Sequence, residues 1–232
     1  MNTMENANWK HDTQPSTAAI IAGLSLLAMA VIAAYANFAI IMNLEVPGDL
    51  TTTVANLVES AGQARLAAAG FIIVVILDII AAWGLYIVLR SVNQSLSLLG
   101  GWLRLAYAAI LAVAINGLLD ALHSGPIDPA LAGFFFESFD SLWQIGLIIF
   151  GLHLCVVGYL IWQAEFIHWL FGLLLIIAGL GYMVDGFGTV LIPDYSLDLA
   201  VFTFIGEVAL IFWLLIRGRK LPDMAGPNAE SS

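Results

Sequence analysis

The sequence predicts an all-α, polytopic membrane protein, folded as a compact bundle of six transmembrane helices. Two compositional features predict this class: 61% of the 232 residues are hydrophobic, and only 10% are charged. A soluble domain carries about 25% charged residues. The third feature is that the apolar residues fall in runs of about 20 or more, the length a helix needs to cross a bilayer. Backbone groups in lipid must be hydrogen-bonded within the span, so these runs are predicted to be helices.

Six apolar runs follow one another, separated by short connections, at residues 18–42, 63–89, 98–122, 139–162, 166–192 and 197–217. Together they define a transmembrane domain over residues 18–217. A polar segment, 1–17, precedes it, and a polar tail, 218–232, follows; both are expected in the cytoplasm, the tail without order. The first run is longer than the roughly 7–15 apolar residues of a signal peptide, so we interpret it as an uncleaved helix.

The charged residues are sorted by side, which orients the predicted bundle. The basic residues lie at the termini or in the second loop: Lys10, Arg90, Arg217, Arg219 and Lys220. The first, third and fifth loops are acidic, with Arg65 the one basic residue near them, and carry Glu45, Asp49, Glu59, Asp128, Glu137, Asp194 and Asp198. The positive-inside rule places both termini in the cytoplasm, in a multi-pass protein of the cell membrane. The partner predicted is the lipid bilayer, which "RGRK" at 217–220 can contact, and not nucleic acid.

Local patterns refine the connections. In the first outer loop Val54, Leu57 and Val58 have helical spacing, which indicates a short interfacial helix. The third loop contains two prolines and a phenylalanine cluster at 134–136, expected at the outer interface.

Glycines mark the fifth span. Gly172, Gly179 and Gly186 fall on one helical stripe and predict close packing against a neighbouring helix. The glycines and proline that follow Asp185 indicate that this helix frays before the outer surface. Cys155, the single cysteine, is interpreted as a small apolar core residue.

Several stretches resemble one known family. They are "VPGDLTTTVANLV" at 46–58, "GLYIVLRSVNQSLSLLGGWLRL" at 84–105, "FGLHLCVVGYLIWQ" at 150–163, "GLLLIIAGLGYMVDGF" at 172–187 and "GEVALIFWLLIRG" at 206–218. In this order they resemble a prokaryotic family of six-helix integral membrane proteins of unknown function (domain of unknown function 4386). The chain departs from it at "FIHW", 166–169, where the family commonly has a proline in the linker. The resemblance implies a fold and a membrane location but no activity. Its recurring motif positions include Arg104, His153, Tyr159, Asp185 and Glu207.

Four ionisable residues on four different spans are the candidate intramembrane site. At the helical rise, Asp78, Glu207 and His153 lie ~16, ~15 and ~14 Å from the cytoplasmic ends of their spans, and Arg104 lies ~9 Å from its own. Each charged group costs about 2.5–3.5 kcal/mol at a helix centre, so we expect the four to converge and share hydrogen bonds. Arg104 can instead snorkel to the cytoplasm. Asp185 and Tyr159 are secondary candidates.

The sequence favours a small transport or permeation protein for protons, cations or a small polar solute. The alternative is a structural, sensor or partner-binding protein whose polar cluster only fixes helix packing. An enzyme is the third choice, since H-E-x-x-H and G-x-S-x-G are absent from the sequence. No metal or other cofactor is predicted: His123 and His153 differ in depth by ~20 Å, too far to share a haem. Substrate, direction and oligomeric state are left open.

Overall fold

The computed structural model describes residues 13–192, 195, 197, 199 and 205–221, and all regular structure in this part of the chain is helical. We number the α-helices in chain order. They are α1 (Pro15–Ala34), α2 (Leu50–Glu59), α3 (Ala61–Leu89), α4 (Gln94–Ser124), α5 (Pro129–Gln163), α6 (Trp169–Leu191) and α7 (Ile205–Ile216). Helix α1 continues through π-helical turns at Tyr35–Ile41 into a last α-helical turn at Met42–Leu44, and α7 is followed by a 3-10 turn at Gly218–Lys220.

The described helices confirm the predicted all-α, polytopic class. Five are long and apolar enough to cross a membrane: Pro15–Leu44, Ala61–Leu89, Gln94–Ser124, Pro129–Gln163 and Trp169–Leu191. Helix α7 is apolar but shorter, because it comprises only the second part of the predicted sixth span. Most of the earlier part of that span lies outside the described residues.

The third loop is shorter than predicted, because the helices on both sides of it extend further than the apolar runs. Helix α4 continues to Ser124, and α5 begins at Pro129, so residues 134–136 lie in a helix and not in a loop. The start of α5 has a strong local cause: the Asp128 side chain accepts hydrogen bonds from the N–H groups of Ala130 and Leu131, both at 3.1 Å. Proline is also favoured in the first helical turn, where its missing N–H costs nothing.

Two other boundaries differ from the prediction. Helix α6 continues through Gly186 and Gly188 to Leu191, so the expected early fraying is wrong. Helix α1 begins at Pro15, inside the segment expected to be polar and cytoplasmic. Residues 1–12 of that segment and 222–232 of the tail lie outside the described residues.

The short helix predicted in the first loop is present as α2, whose Val54 and Leu57 are buried. Its first turn is capped by Asp49, which accepts hydrogen bonds from the Thr52 hydroxyl at 2.6 Å and the Thr52 N–H at 2.9 Å. Both hydrogen bonds hold the pKa of the Asp49 carboxyl below its ordinary value, and the bond from the Thr52 hydroxyl has the larger effect.

The long helices pack in a closed ring. Helix α1 contacts α3 and α7, and the contacts then run from α3 to α4, α4 to α5, α5 to α6 and α6 to α7. Helices adjacent in the chain are therefore mostly adjacent in space, as short connections require. The ring gives each helix an inner face on which polar side chains can meet away from lipid.

The glycine stripe of α6 packs against α5, which confirms the predicted close approach. A Cβ atom on Gly172 would lie 2.5 Å from the Gly158 carbonyl oxygen, and one on Gly179 would collide with the Gly151 carbonyl oxygen. Gly186 faces the same helix. Glycines on both partners let the two backbones touch, which fixes the position of α6 relative to α5.

Candidate functional site

Asp78 lies on the buried stripe of α3. Phe71, Val74, Asp78, Ala81 and Leu85 recur at the three- and four-residue spacing of one helical face, and all are buried. Asp78 is 0% exposed. The helix therefore turns its carboxylate toward the bundle because the neighbours on the same stripe are apolar residues that pack against other helices.

The partner of Asp78 is Arg104 on α4. The Nη2 atom of Arg104 lies 2.8 Å from the Oδ1 atom of Asp78. Arg104 is only 2% exposed, so its side chain does not snorkel to the cytoplasm, one of the two arrangements that the sequence allowed. The pair joins α3 to α4 through two charges that have both been removed from lipid and water.

His153 on α5 contacts the other side of the same guanidinium. The Nε2 atom of His153 lies 3.1 Å from Nη1 of Arg104, and its Nδ1 atom lies 2.8 Å from the Gly100 carbonyl oxygen. A guanidinium only donates hydrogen bonds, so Nε2 must accept and the ring proton must be on Nδ1, which donates to Gly100. His153 is thus a neutral imidazole, and its fixed tautomer links α4 to α5.

Asp78, Arg104 and His153, which we call the buried triad, leave some polar atoms without hydrogen bonds. No described residue donates a hydrogen bond to Oδ2 of Asp78, whereas Oδ1 forms the 2.8 Å ion pair with Nη2 of Arg104. The Arg104 Nε–H also has no acceptor among the described residues. A buried group with unused hydrogen-bonding capacity is costly, and such groups mark functional or strained sites.

An aromatic wall lies beside the triad. The Arg104 Cζ atom is 5.4 Å from the ring centroid of Phe150, a cation–π distance. The Phe150 ring also stacks on His153, with centroids 5.8 Å apart, and contacts Tyr107 on α4 at 4.9 Å. Tyr182 on α6 meets Phe150 edge-on at 5.4 Å. Phe150 therefore closes the triad on the side that faces α6.

Glu207 lies on the far side of this wall. Its Oε1 atom accepts a hydrogen bond from the Tyr182 hydroxyl at 3.0 Å, and the residue is half-buried. Helix α7 comes close to α6 at the preceding residue, where a Cβ on Gly206 would lie 2.6 Å from the Leu174 carbonyl oxygen. No ion pair within the described residues joins Glu207 to Arg104. The four predicted residues thus form a triad and a separate carboxylate near it.

The secondary candidates lie in other surroundings. Asp185, on α6, accepts a hydrogen bond from the Tyr195 hydroxyl at 2.8 Å. Tyr159 is 49% exposed, and its hydroxyl accepts a hydrogen bond from the Gln163 amide at 2.9 Å. The structure therefore gives Asp185 a contact near the end of α6 and places Tyr159 on the bundle surface.

Sequence reasoning missed the aromatic residues and the Gly100 carbonyl. One signal was available: Phe150 precedes His153 by three residues and Tyr107 follows Arg104 by three, so each shares a helical face with a polar candidate. The roles of Tyr182 and Gly100 had no such signal, because both contacts cross between helices.

The triad has a defined chemical capacity. One negative and one positive charge balance, and the neutral imidazole adds no charge. Within the described residues, no group of three or more His, Cys, Asp or Glu side chains is placed to hold a metal ion. The unused acceptor capacity of Asp78 suits a proton, a cation or a hydrogen-bond donor of a small solute.

Comparison with known proteins gives the family of the chain without an activity. The family model described as "Domain of unknown function (DUF4386)" matches residues 21–218. A protein of Archaeoglobus fulgidus, described as "Uncharacterized protein", is 32% identical over 155 residues, which cover 67% of this chain and 85% of the relative. No solved structure matches the chain with significance.

Proposed function

The chain belongs to the family described as Domain of unknown function (DUF4386), and we propose that it is a small transport or permeation protein of the cell membrane. Its cargo is a proton, a cation or a small polar solute, and the buried triad is the site that the cargo occupies in passing. Charged groups inside a membrane segment are costly and point by default to such pathways.

The observation that carries the proposal is the incomplete satisfaction of Asp78. Its carboxylate is 0% exposed, with Oδ1 paired to the Arg104 guanidinium and Oδ2 without a hydrogen-bond donor among the described residues. The Nε–H of that guanidinium also has no acceptor there. A cluster that served packing alone would gain stability by filling these positions. A site that exchanges cargo must instead hold it weakly enough to release it.

Glu207 extends the proposed route. It is half-buried, its carboxylate is held by Tyr182, and contacts through the Tyr182 and Phe150 rings connect it to Arg104. A second carboxylate at this position provides a relay between the triad and the surface of the bundle. Movement of the Phe150 ring is the step that would connect the two.

We further propose that both termini are cytoplasmic. The packing supports this sidedness, because Gly218 lies against Ala19, and Gly84 lies against Ala18. The start of α1 therefore adjoins the basic segment 217–220, and we call this the basic end of the bundle. A reporter fused after Lys220 that requires the cytoplasm should be active, and activity only outside the cell would overturn the orientation.

The transport proposal is tested by flux into liposomes containing the purified full-length protein. We expect the wild type to dissipate a proton or cation gradient, read with a pH-sensitive dye and a panel of cations, and Asp78→Asn to reduce the rate at least tenfold. Asp120→Asn is the matched control, since that half-buried aspartate bonds to Asn116 instead. Wild-type flux equal to that of protein-free liposomes for every cation and for a small-solute panel would contradict the proposal.

A structural role is the second candidate function, and the burial of the triad favours it. Asp78, Arg104 and His153 are 0%, 2% and 1% exposed, so the triad has little direct access to either side. In this alternative the charges only fix the register of α3, α4 and α5. It predicts that Asp78→Asn lowers the thermal midpoint in detergent while wild-type liposomes show no flux. Loss of flux in an Asp78→Asn protein with an unchanged midpoint would favour transport.

A further inference from the structure

A groove at the basic end lies between the start of α6 and the end of α7. It has a volume of about 700 Å³. Its walls are mostly apolar, and residues from the α5–α6 linker, α6 and α7 contribute to them, among them Phe166, Phe171, Ala209, Phe212 and Ile216. The α7 residues recur at helical spacing, so one face of α7 forms one wall of the groove.

The same groove has a cationic mouth. Arg217 and Lys220 line it together with His168, and both basic side chains are exposed. Neither forms an ion pair or a side-chain hydrogen bond with any residue in the described part of the chain. Positive charge at the rim of an apolar groove is complementary to a ligand with an anionic head and an apolar tail.

Aromatic residues surround the groove, and its tryptophans are typical of a membrane interface. The Phe166 and Trp213 rings lie 6.3 Å apart, and both line the groove. The Trp162 and Trp169 rings lie 5.8 Å apart at the adjoining ends of α5 and α6. Tryptophan rings collect where lipid head groups meet the acyl chains.

We propose that this groove binds one anionic phospholipid, with its phosphate at Arg217 and Lys220 and an acyl chain along Phe171, Phe212 and Ile216. A neutral lipid would use the apolar walls alone, and a soluble anion would use the rim alone. An anionic phospholipid uses both. The lipid belongs to the cytoplasmic leaflet if the proposed orientation is correct, but the site is independent of the transport proposal.

The test uses Trp213, which lines the groove and is 9% exposed, as its reporter. Full-length protein in phosphatidylcholine nanodiscs is titrated with brominated phosphatidylglycerol, whose bromine atoms quench tryptophan fluorescence on contact. The same titration with brominated phosphatidylcholine gives the non-ionic reference, and a Trp213→Phe variant identifies the part of the quenching that belongs to this residue.

We expect saturable quenching of Trp213 by phosphatidylglycerol at a mole fraction about 25-fold below that needed for phosphatidylcholine, about fivefold for each of the two basic residues. Each basic residue near a membrane surface contributes about 1 kcal/mol, or about fivefold, so Arg217→Gln with Lys220→Gln should weaken the preference ~25-fold. Arg219→Gln is the matched control, because Arg219 lies between the two in sequence and is exposed but does not line the groove.

Four results would overturn the proposal. Equal quenching by the two lipids would mean that the charges do not select the occupant. An equal loss in Arg219→Gln would assign the effect to surface charge in general. Competition by inorganic phosphate at the same concentration as the lipid would show that the acyl chain contributes nothing. A dimer whose interface covers the groove, detected by cross-linking through Phe212→Cys, would identify a second copy of the chain as the occupant instead.

Discussion

Asp78 and Glu207 lie at nearly the same predicted depth, ~16 and ~15 Å along their spans, but their surroundings differ. Asp78 is completely buried and faces Arg104. Glu207 is half-buried and accepts a hydrogen bond from Tyr182. The first carboxylate therefore has a charged partner, whereas the second has a neutral one.

The difference shows that depth alone does not pair intramembrane charges. Each side chain also has a direction around its helix axis, which the packing of neighbouring helices decides. Phe150 occupies the space between Arg104 and Tyr182, so the guanidinium meets Asp78 and His153, and Glu207 meets a hydroxyl. One aromatic ring separates two regions that the sequence predicted as one site.

The largest expected effect comes from removing the shared guanidinium. Arg104→Ala should lower the free energy of unfolding in detergent by about 3–5 kcal/mol, because it leaves the buried Asp78 charge without compensation. Adding Asp78→Ala should recover part of the loss. The corresponding double change with Glu207→Ala should recover less of the loss, since no ion pair within the described residues joins Glu207 to Arg104. Equal coupling energies of Arg104 with Asp78 and with Glu207 would contradict the conclusion that only Asp78 is its partner.

A smaller effect should follow from disturbing the α5–α6 contact. Gly179→Leu should cost about 1–3 kcal/mol through overpacking, because a side chain there meets Gly151 and Cys155. We expect the change to displace Tyr182, three residues along α6, and to leave α3 and α4 in contact. The thermal midpoint in detergent measures it. Gly62→Leu is the control: that glycine has nothing within 4 Å of its would-be Cβ, so its midpoint should not fall. An unchanged midpoint in Gly179→Leu would mean that the stripe is exposed.

The smallest effect should come from the Tyr182 hydroxyl. Tyr182→Phe removes the hydrogen bond to Glu207 and keeps the ring against Phe150, so we expect a loss of about 0.5–1.5 kcal/mol in chemical unfolding. Tyr159→Phe supplies the comparison for an exposed tyrosine and should change stability by less. If Tyr182→Phe lowered the free energy of unfolding as much as Arg104→Ala does, the contact of Glu207 would contribute as much to stability as that of Asp78.

The fold class followed from the sequence. Its apolar runs are long enough to cross a bilayer, and in lipid such a run satisfies its backbone hydrogen bonds by forming a helix. Helix ends were less predictable. The start of α5 depends on a cap by Asp128. Asp128 is visible in the sequence, but the two prolines beside it led to the prediction of a loop. The π-helical turns at Tyr35–Ile41 had no signal in the hydrophobic pattern.

The sequence by itself determined which residues are too polar for lipid, their positions along the spans and which face of α6 accepts a close neighbour, because periodicity and helical rise are local properties. Only the tertiary structure decided that Arg104 pairs with Asp78, that His153 carries its proton on Nδ1, and that Phe150 separates Glu207 from the triad. Those outcomes depend on the rotation of each helix about its axis. Rotation is set by the packing of all the helices in the ring, so no single segment encodes it.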